Sequence, residues 1–582
     1  MSGSVVLEPR RSGLTSGPDA VVRFAGLRAR ESALTLGQLN ILKWIEDAPD
    51  SFDTTLGSAL VFPDGTRLAD VVDTFAALIA RYEGLRTVFD LGDRSRQRVL
   101  GSGALPIATY HVGSGGSEPA DRDAVAAELE RRWAPGLGCG PGHLPIWVVL
   151  AMRDGQVLAG HVRLSHLVVD LQGMALLGRD FYEMIGDPAT RVPGPPRHQP
   201  VDQALQEGEP RLRRRVDRAL RYRQGLLYQM PACLYPAPRG TGTGESVAVN
   251  LRSPAAALAL RRLAARTGRS RPSAVLAAVC ALLAQRTGSP DVVFPTLASN
   301  RFERHLRDHV GTLVQTVLTR VTVGTANFDE VIRRAWLAVV AASERGMYDV
   351  DRRVEIDRRV SSERGIHFSF EPLFNSPMVD RADERPPPTA EQPRSALAAT
   401  TVSRESMRRT LTLLRFDLRE YDDVMDLRLW TGDTSRVSAD AVESMLRAVE
   451  RVLVLAAESD LDHTALARAL AVPPPPSGPD WRYDDSSWVE LPEMRRMLAD
   501  TFGPGRTLLL PERDGRQLVA YLVASESVTT PEQAHAACLA ALPGRHTALA
   551  PRHYVLFRAA PDDPTDPAAW RSPLMEGSGR SG

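Results

Sequence analysis

The chain has 582 residues, 43% of them hydrophobic and 24% charged, which is enough apolar material for two to four cores at ~150 residues per domain. Its formal charge is zero, which excludes a global electrostatic pull toward nucleic acid or a membrane surface. Lys43 is the only lysine, so arginine runs such as RLRRRVDRALRYRQ (211–224) reflect composition first and function second.

Residues 1–21 are polar and Gly/Ser-rich and are expected to form a flexible arm. The run TRLADVVDTFAALIARYEGLRTVFD (66–90) spaces its apolar residues for a helix, then leaves through the β-type Thr87, Val88 and Phe89. AVAAELERRW (124–133) predicts a second amphipathic helix. LPIWVVLAMR and QVLAGHVRLSH (144–166) flank Asp154-Gly155, a two-residue hairpin signal. LQGMALLGRDFYEMI (171–185) predicts the helix that follows. VPGPPRHQP (192–200) reads as linker, ahead of the basic helix and a loop-rich stretch at 231–246. Helices are predicted at 253–268, 271–288 and 328–344, and strands at 291–301 and 308–323. GIHFSFEPLFN (365–375) and LTLLRFDLREYDDVMDLRLW (411–430) are further strand candidates, and 439–459 predicts a closing helix. AVPPPPSGPD (471–480) is a second linker. The last hundred or so residues alternate helix and strand signals and end in a Gly/Ser tail expected to be disordered.

The N-terminus lacks the apolar core of a secretory signal, and no apolar run approaches the ~20 residues of a membrane-spanning helix. Cys139, Cys233, Cys280 and Cys538 lie far apart, which suggests neither a zinc site nor a disulfide framework and fits a reducing compartment. A cytoplasmic location without metal is the expectation.

Chemistry concentrates in LSHLVVDLQG (164–173), where a strand meets a helix and His166 stands four residues before Asp170. Neighbours in a strand face opposite sides, so Ser165 and His166 cannot pair as nucleophile and base. His161 and His166 differ by five and cannot share a metal there. No GxSxG elbow is present, and RGTGTGES (239–246) lacks the GK[ST] of a phosphate loop. There remains a histidine able to accept a proton near neutral pH, beside an aspartate that could order the loop through an arginine. A lone HxxxD also fits a strand end with no chemistry.

Five stretches in order resemble the condensation domains of nonribosomal peptide synthetases, members of the chloramphenicol-acetyltransferase-like superfamily. SHLVVDL resembles their HHxxxDG, and ARYEGLRTVF (80–89) resembles RHExLRTxF through Glu83, Leu85, Arg86, Thr87 and Phe89. SALTLGQLNIL (32–42) is similar to the opening element and keeps Gln38. DVVFPTLASNR and HVGTLVQTVLTR resemble DDVVxGTPVxxR and xxGxFVNTLPLR, with Gly311, Val314, Thr316 and Arg320 matching. The resemblance implies an α/β fold of two acetyltransferase-like halves in a V (22–195 and 246–470, joined by 196–245), with His166 at the bottom of a tunnel. It implies that His166 is the catalytic histidine, Asp170 the structural aspartate and Arg86 its salt-bridge partner. Leu171, Ser299, Asn300, Arg301 and Gln315 would lie near the tunnel. No cofactor would be bound. Both substrates would ride on the phosphopantetheine of carrier proteins acting in trans, alongside other synthetase modules, and an acceptor would attack a donor thioester to give an amide or ester.

Two positions of the HHxxxDG motif differ. Ser165 replaces the first histidine and can supply one hydrogen bond there. Leu171 replaces a glycine that would permit close approach, with Gly173 two residues on as a possible substitute. Gln315 replaces an asparagine. Relatives with altered motifs include domains that recruit partner enzymes without making a bond, so a scaffold role is the alternative, and a coenzyme A-dependent acyltransferase is a second one.

Residues 481–571 resemble the small C-terminal subdomain of adenylation enzymes, an α+β piece. The stretch PTDPAAWRSP stands where that family has PxTxxGKxxR and carries no lysine, so a relic or docking module is expected. The tail is 572–582.

Overall fold

The computed structural model describes residues 14–580, apart from 48–54, 93–94, 114–121, 133–142, 193–196, 239, 241–243, 369–371, 377–379, 381–382, 408–412 and 512–516. The chain divides into two compact units, residues 1–215 with 299–315, and 216–298 with 316–582.

The first unit holds β1 (Leu14–Ser16), β2 (Ala20–Phe24), β3 (Arg30–Ala33), α1 (Leu36–Asp47), β4 (Thr55–Leu60) and α2 (Leu68–Arg81). It continues with β5 (Thr87–Asp90), β6 (Arg96–Val99), β7 (Gly103–Val112), α3 (Arg122–Arg132), β8 (Ile146–Arg153) and β9 (Gln156–Ser165). After these come α4 (Leu171–Gly186), α5 (Pro200–Glu207) and α6 (Pro210–Leu227), whose last turns belong to the second unit. The main sheet runs β1-β7-β8-β9-β4, with β2 also on β7, and β3-β6-β5 form a small second sheet. The hairpin β8–β9 turns at Asp154 (φ 49°) and Gly155 (φ 77°), the paired left-handed residues that match strand twist. The continuous apolar run of β8 is buried almost throughout, because α2 and α4 cover one face while α3 covers the other. β1 and β2 pair with β7, so strand structure begins inside the stretch expected to be a flexible arm; residues 1–13 lie outside the described residues.

The second unit contains β10 (Ser246–Ser253), α7 (Pro254–Thr267), α8 (Arg271–Thr287), β11 (Asp291–Ala298), β12 (Gln315–Thr322), α9 (Phe328–Ser343), α10 (Val350–Arg364) and β13 (Leu373–Asn375). Next are α11 (Gln392–Ser395), β14 (Thr401–Met407), β15 (Leu414–Glu420), β16 (Met425–Thr431), α12 (Ala439–Glu458) and α13 (His463–Leu470). Its sheet is ordered β12-β11-β13-β15-β16-β10-β14, and α7, α8, α9 and α12 bury an Ala/Leu/Val core against it. The strand expected over 308–323 is shorter than predicted: residues 308–314 are loop, and only Gln315–Thr322 pair.

The C-terminal region adds β17 (Trp481–Asp484), β18 (Ser487–Glu490), α14 (Leu491–Phe502), β19 (Thr507–Pro511), β20 (Leu518–Val523), α15 (Pro531–Ala541), β21 (His553–Phe557) and β22 (Met575–Gly577). It is α+β, as expected, but it is not a separate compact unit. Met494, Met497, Leu518 and Leu522 share one core with Leu227, Met230, Val360 and Ile366. A buried Arg436–Glu493 pair at 3.1 Å and an Arg364–Asp485 pair at 2.9 Å join it to the preceding sheet-and-helix body. The tail expected to be disordered pairs instead: β22 adds to β21, and Arg580 donates to the Glu363 carbonyl at 3.2 Å. Among the described residues, no helix is long and apolar enough to cross a membrane.

Candidate active site

The site is built where β9 runs out. β9 lies between β8 and β4, so its backbone is held on both sides up to Ser165, opposite Thr55. The Ser165 amide donates to the Pro145 carbonyl at 2.9 Å, and the Val168 amide closes a turn onto the Ser165 carbonyl at 3.0 Å. Ser165 Oγ accepts the Leu167 amide at 3.2 Å, so the serine that replaces a histidine stabilises this turn. His166 sits at the bend, buried, and its carbonyl accepts a hydrogen bond from Thr312 Oγ1.

Asp170 is the N-cap of α4. Its Oδ1 accepts the Gly173 amide at 2.8 Å, satisfying one of the amide donors that a helix start leaves free. The same carboxylate takes Arg301 in fork geometry, Nη1 to Oδ2 at 2.7 Å and Nη2 to Oδ1 at 2.8 Å, and accepts the Leu313 amide at 3.1 Å. Burial alone would push this carboxyl up. The Arg301 charge and the four hydrogen bonds outweigh burial and hold it below the usual carboxylate range. Arg301 also donates to the carbonyls of Ser299 (3.3 Å), His309 (3.3 Å) and Gly311 (3.0 Å), so one guanidinium fixes the whole 299–311 loop onto the start of α4.

The loop is shaped for this. Asn300 adopts a left-handed backbone (φ 56°), and its Nδ2 donates to the Leu313 carbonyl at 2.8 Å, pinning the residue whose amide reaches Asp170. A methyl group added at Gly173 would sit 2.9 Å from Val169 Cγ2 and 3.3 Å from the Gly311 carbonyl, so glycine is what lets α4 approach the loop. His309 is buried, with its ring at about 3 in pKa: burial dominates, the contact to the His198 carbonyl opposes it, and the Arg301 charge lowers it further. It is therefore neutral, and Nδ1 carries the proton that it donates to the His198 carbonyl at 2.9 Å.

The expected Arg86–Asp170 salt bridge is not formed. Arg86 is buried elsewhere, donating to the carbonyls of Ile79 (3.2 Å), Arg28 (2.8 Å) and Leu100 (2.5 Å), with Glu83 at 3.9 Å. It ties α2 to the β5–β6 region, and the arginine that pairs with Asp170 is Arg301. Leu171, expected to line a tunnel, occupies the first turn of α4 and is 49% exposed. Ser299 is exposed, and Gln315 is buried at the start of β12. Gly311 was noted from sequence only as a motif match, and Thr312 and Leu313 were not singled out. Their main contributions are a carbonyl, a hydroxyl and an amide, groups that a residue pattern does not display. Among the described residues, no group of three or more His, Cys, Asp or Glu side chains is arranged to hold a metal ion.

This arrangement places a histidine on a bend fixed from both sides, by a strand ladder before it and by an ion-paired helix cap after it. Such a frame can present an imidazole in a defined position for proton transfer.

Comparison with known proteins supports the resemblance. Phosphinothricin tripeptide synthetase PhsC of Streptomyces viridochromogenes is 28% identical over 324 residues, 53% of this chain; the match spans only 29% of that much longer protein. The SgcC5 protein of Streptomyces globisporus superposes with a TM-score of 0.54 at 18% identity, covering 74% of this chain and 100% of that one. The X-domain from teicoplanin biosynthesis superposes with a TM-score of 0.53 at 20% identity, covering 76% of this chain and 99% of that one. These likenesses establish the shared two-part fold. The condensation-domain model matches residues 58–418, more than half of the chain and spanning the β9–α4 bend and the 299–313 loop, so this protein belongs to the condensation-domain family.

Proposed function

We propose that this protein is a condensation enzyme of nonribosomal peptide biosynthesis, with His166 as its catalytic residue. A donor acyl group arrives as a thioester on the phosphopantetheine of one carrier protein, and an acceptor amine or hydroxyl arrives on another, both supplied in trans. The nucleophile attacks the thioester carbon and the C–N or C–O bond forms. The tetrahedral intermediate then collapses with cleavage of the C–S bond, and the nucleophile's proton passes through His166 to the departing thiolate. An α-amino group with pKa near ~7.7–8.0 is partly neutral at pH 7, so His166 mainly positions an amine, whereas a hydroxyl acceptor needs its general-base help, worth ~10²–10⁴ in rate.

The observation that carries this reading is the Asp170–Arg301 pair with its two backbone amides: the frame around His166 is complete although two motif residues differ. The test is amide formation by purified protein from two loaded carrier proteins, wild type against His166→Ala, with folding checked by thermal melting. Loss of at least ~10²-fold with an unchanged melt supports the reading. Full activity in His166→Ala defeats it.

A recruitment role is the second reading. It is favoured by the likeness to an X-domain whose structure with OxyB shows this fold holding a partner protein (TM-score 0.52). On that reading, deletion of the gene is complemented as well by His166→Ala as by wild type. Acceptance of acyl-coenzyme A in place of an acyl carrier protein would point to the third, acyltransferase reading.

A further inference from the structure

Within the first unit, β9 and α4 line a half-open pocket that the frame around His166 does not use. Its walls are Leu60 on β4, Phe75 on α2, Leu164 on β9, and Leu177 and Phe181 on α4, with Tyr182 at its rim and its volume about 60 Å³. Ser58 and Tyr182 supply the only side-chain polar atoms among its lining residues, and Tyr182 Oη is occupied, accepting the Val61 amide at 3.2 Å. The remaining walls are hydrocarbon, aromatic faces and a thioether, with nothing to fix a charge or a hydroxyl.

Gly178 is the informative member. It lies inside α4, where glycine weakens a helix about fivefold in its folding equilibrium relative to alanine. Nothing in the packing demands it, because a methyl group built there would meet no atom within 4 Å. At Gly173, five residues earlier on the same helix, the neighbouring chain forbids a side chain; at Gly178 the space is open. Gly178 therefore keeps a volume free. A residue such as leucine would fill it with an apolar side chain.

Position connects the pocket to the chemistry. Val162 and Leu164 line it from β9, and His166 follows Leu164 by two residues, at most ~7 Å further along the same chain. Met174 and Leu177 line it from α4, the helix that Asp170 caps. The pocket thus extends from the strand and helix that meet at His166. A volume of 60 Å³ holds about four to six water-sized groups at ~10–15 Å³ each, the bulk of a short unbranched chain.

We propose that this pocket binds the hydrocarbon tail of the acyl group whose transfer His166 assists, and that it selects aliphatic acyl thioesters of about four to six carbons over acetyl. The inference rests on the condensation reading for the identity of its ligand but makes a separate prediction. Each buried methylene contributes about a fourfold gain in affinity, so hexanoyl exceeds acetyl by tenfold or more even when the chain is incompletely buried.

The probes are acetyl-, butyryl- and hexanoyl-N-acetylcysteamine, titrated calorimetrically into the full-length protein. In wild type, affinity rises with chain length, and hexanoyl binds at least tenfold more tightly than acetyl. Gly178→Leu narrows that ratio to within about twofold, with a melting temperature at or above that of wild type. Gly178→Ala gives the contribution of helix propensity to the melt. Equal affinity for the three thioesters in wild type, no measurable hexanoyl binding at millimolar concentration, or an undiminished ratio in Gly178→Leu would each overturn the proposal. His166→Ala separates the two readings. If it keeps the chain-length ratio and also keeps turnover, the pocket stands and the catalytic assignment falls. If wild type shows no ratio while His166→Ala loses turnover, the pocket falls and the catalytic assignment stands.

Discussion

Arg301→Ala tests the frame directly. The substitution removes both charge-assisted bonds from a carboxylate that is fully enclosed and leaves it only the Gly173 and Leu313 amides. Removing one partner of a buried ion pair costs about 3–5 kcal/mol. For a unit of roughly 230 residues, that is a melting shift of ~6–20 °C at 2–4 °C per kcal/mol. The pH dependence distinguishes this cause from simple loss of packing. In wild type the Asp170 carboxyl lies below its ordinary value, so its contribution to stability is present above ~3.9 and fades as pH falls through the folded pKa. Without Arg301, burial is no longer outweighed and the folded pKa rises above the unfolded one. The variant's carboxyl is then tolerated when protonated at acid pH and penalised as pH rises through the raised pKa. Calorimetric melts should therefore show a larger deficit at pH 8 than at pH 5, and Arg301→Met combined with Asp170→Asn should recover part of it. A deficit under ~1 kcal/mol, or one that is the same at both pH values, refutes the assignment of Arg301 as the partner of Asp170.

Arg86→Ala should destabilise the first unit by about 1–3 kcal/mol, because the buried Ile79 carbonyl and the part-buried Arg28 and Leu100 carbonyls lose their donor, and the deficit in melting should not vary between pH 5 and 8. Gly173→Ala should cost ~1–3 kcal/mol in thermal or urea unfolding, since its methyl group would overlap Val169 and crowd the Gly311 carbonyl. Glu207 is pushed up to about 7 by burial, opposed in part by bonds from Gln203 and the Leu36 amide. Its folded pKa exceeds the unfolded value of 4.5, so its contribution is present below about 4.5 and lost as pH rises through about 7. Glu207→Gln should therefore raise the melting temperature relative to wild type at pH 8 and give no gain at pH 5.

Elements with a strong side-chain period were legible in the sequence. The stripe of α2 showed its element type, and the two β runs around Asp154-Gly155 showed both type and boundary, because burial on one or two faces leaves that period behind. α10, VDRRVEIDRRVSSER, was not legible: it is charged on nearly every side and carries no apolar stripe. It is held by the Asp349 cap, by the Arg223–Asp357 fork and by Arg364, which reaches the Leu227 and Met230 carbonyls; all but the cap come from long-range pairing. β14, TVSRESM, was missed for a related reason. It is an edge strand with polar, mostly exposed side chains, and only its pairing with β10 defines it. The site divides in the same way. The motif order located His166, Asp170, Arg301 and the loop after Asn300. It named the wrong arginine for Asp170, because Arg86 fits by type and only the chain's path brings Arg301, 131 residues away, into reach.

The two altered motif positions bear on catalysis differently from what their chemistry alone suggests. None of the hydrogen bonds on Asp170 comes from Ser165 or Leu171; they come from Arg301, Gly173 and Leu313. Ser165 faces its own turn, where its oxygen accepts the Leu167 amide, and Leu171 turns outward in the first turn of α4. Restoring the family residue with Leu171→Gly should thus leave the cap intact. The helix loses at most about 1 kcal/mol of propensity, less in its first turn, so melting should fall by no more than ~2–4 °C. If the frame alone sets the position of His166, condensation by Leu171→Gly stays within about threefold of wild type, an effect of ~0.7 kcal/mol on the barrier. A gain above tenfold in kcat/KM would show that the leucine obstructs an incoming substrate arm. The departure from the motif would then be a restriction on catalysis, and the intact Asp170–Arg301 pair would be insufficient by itself to define a working site.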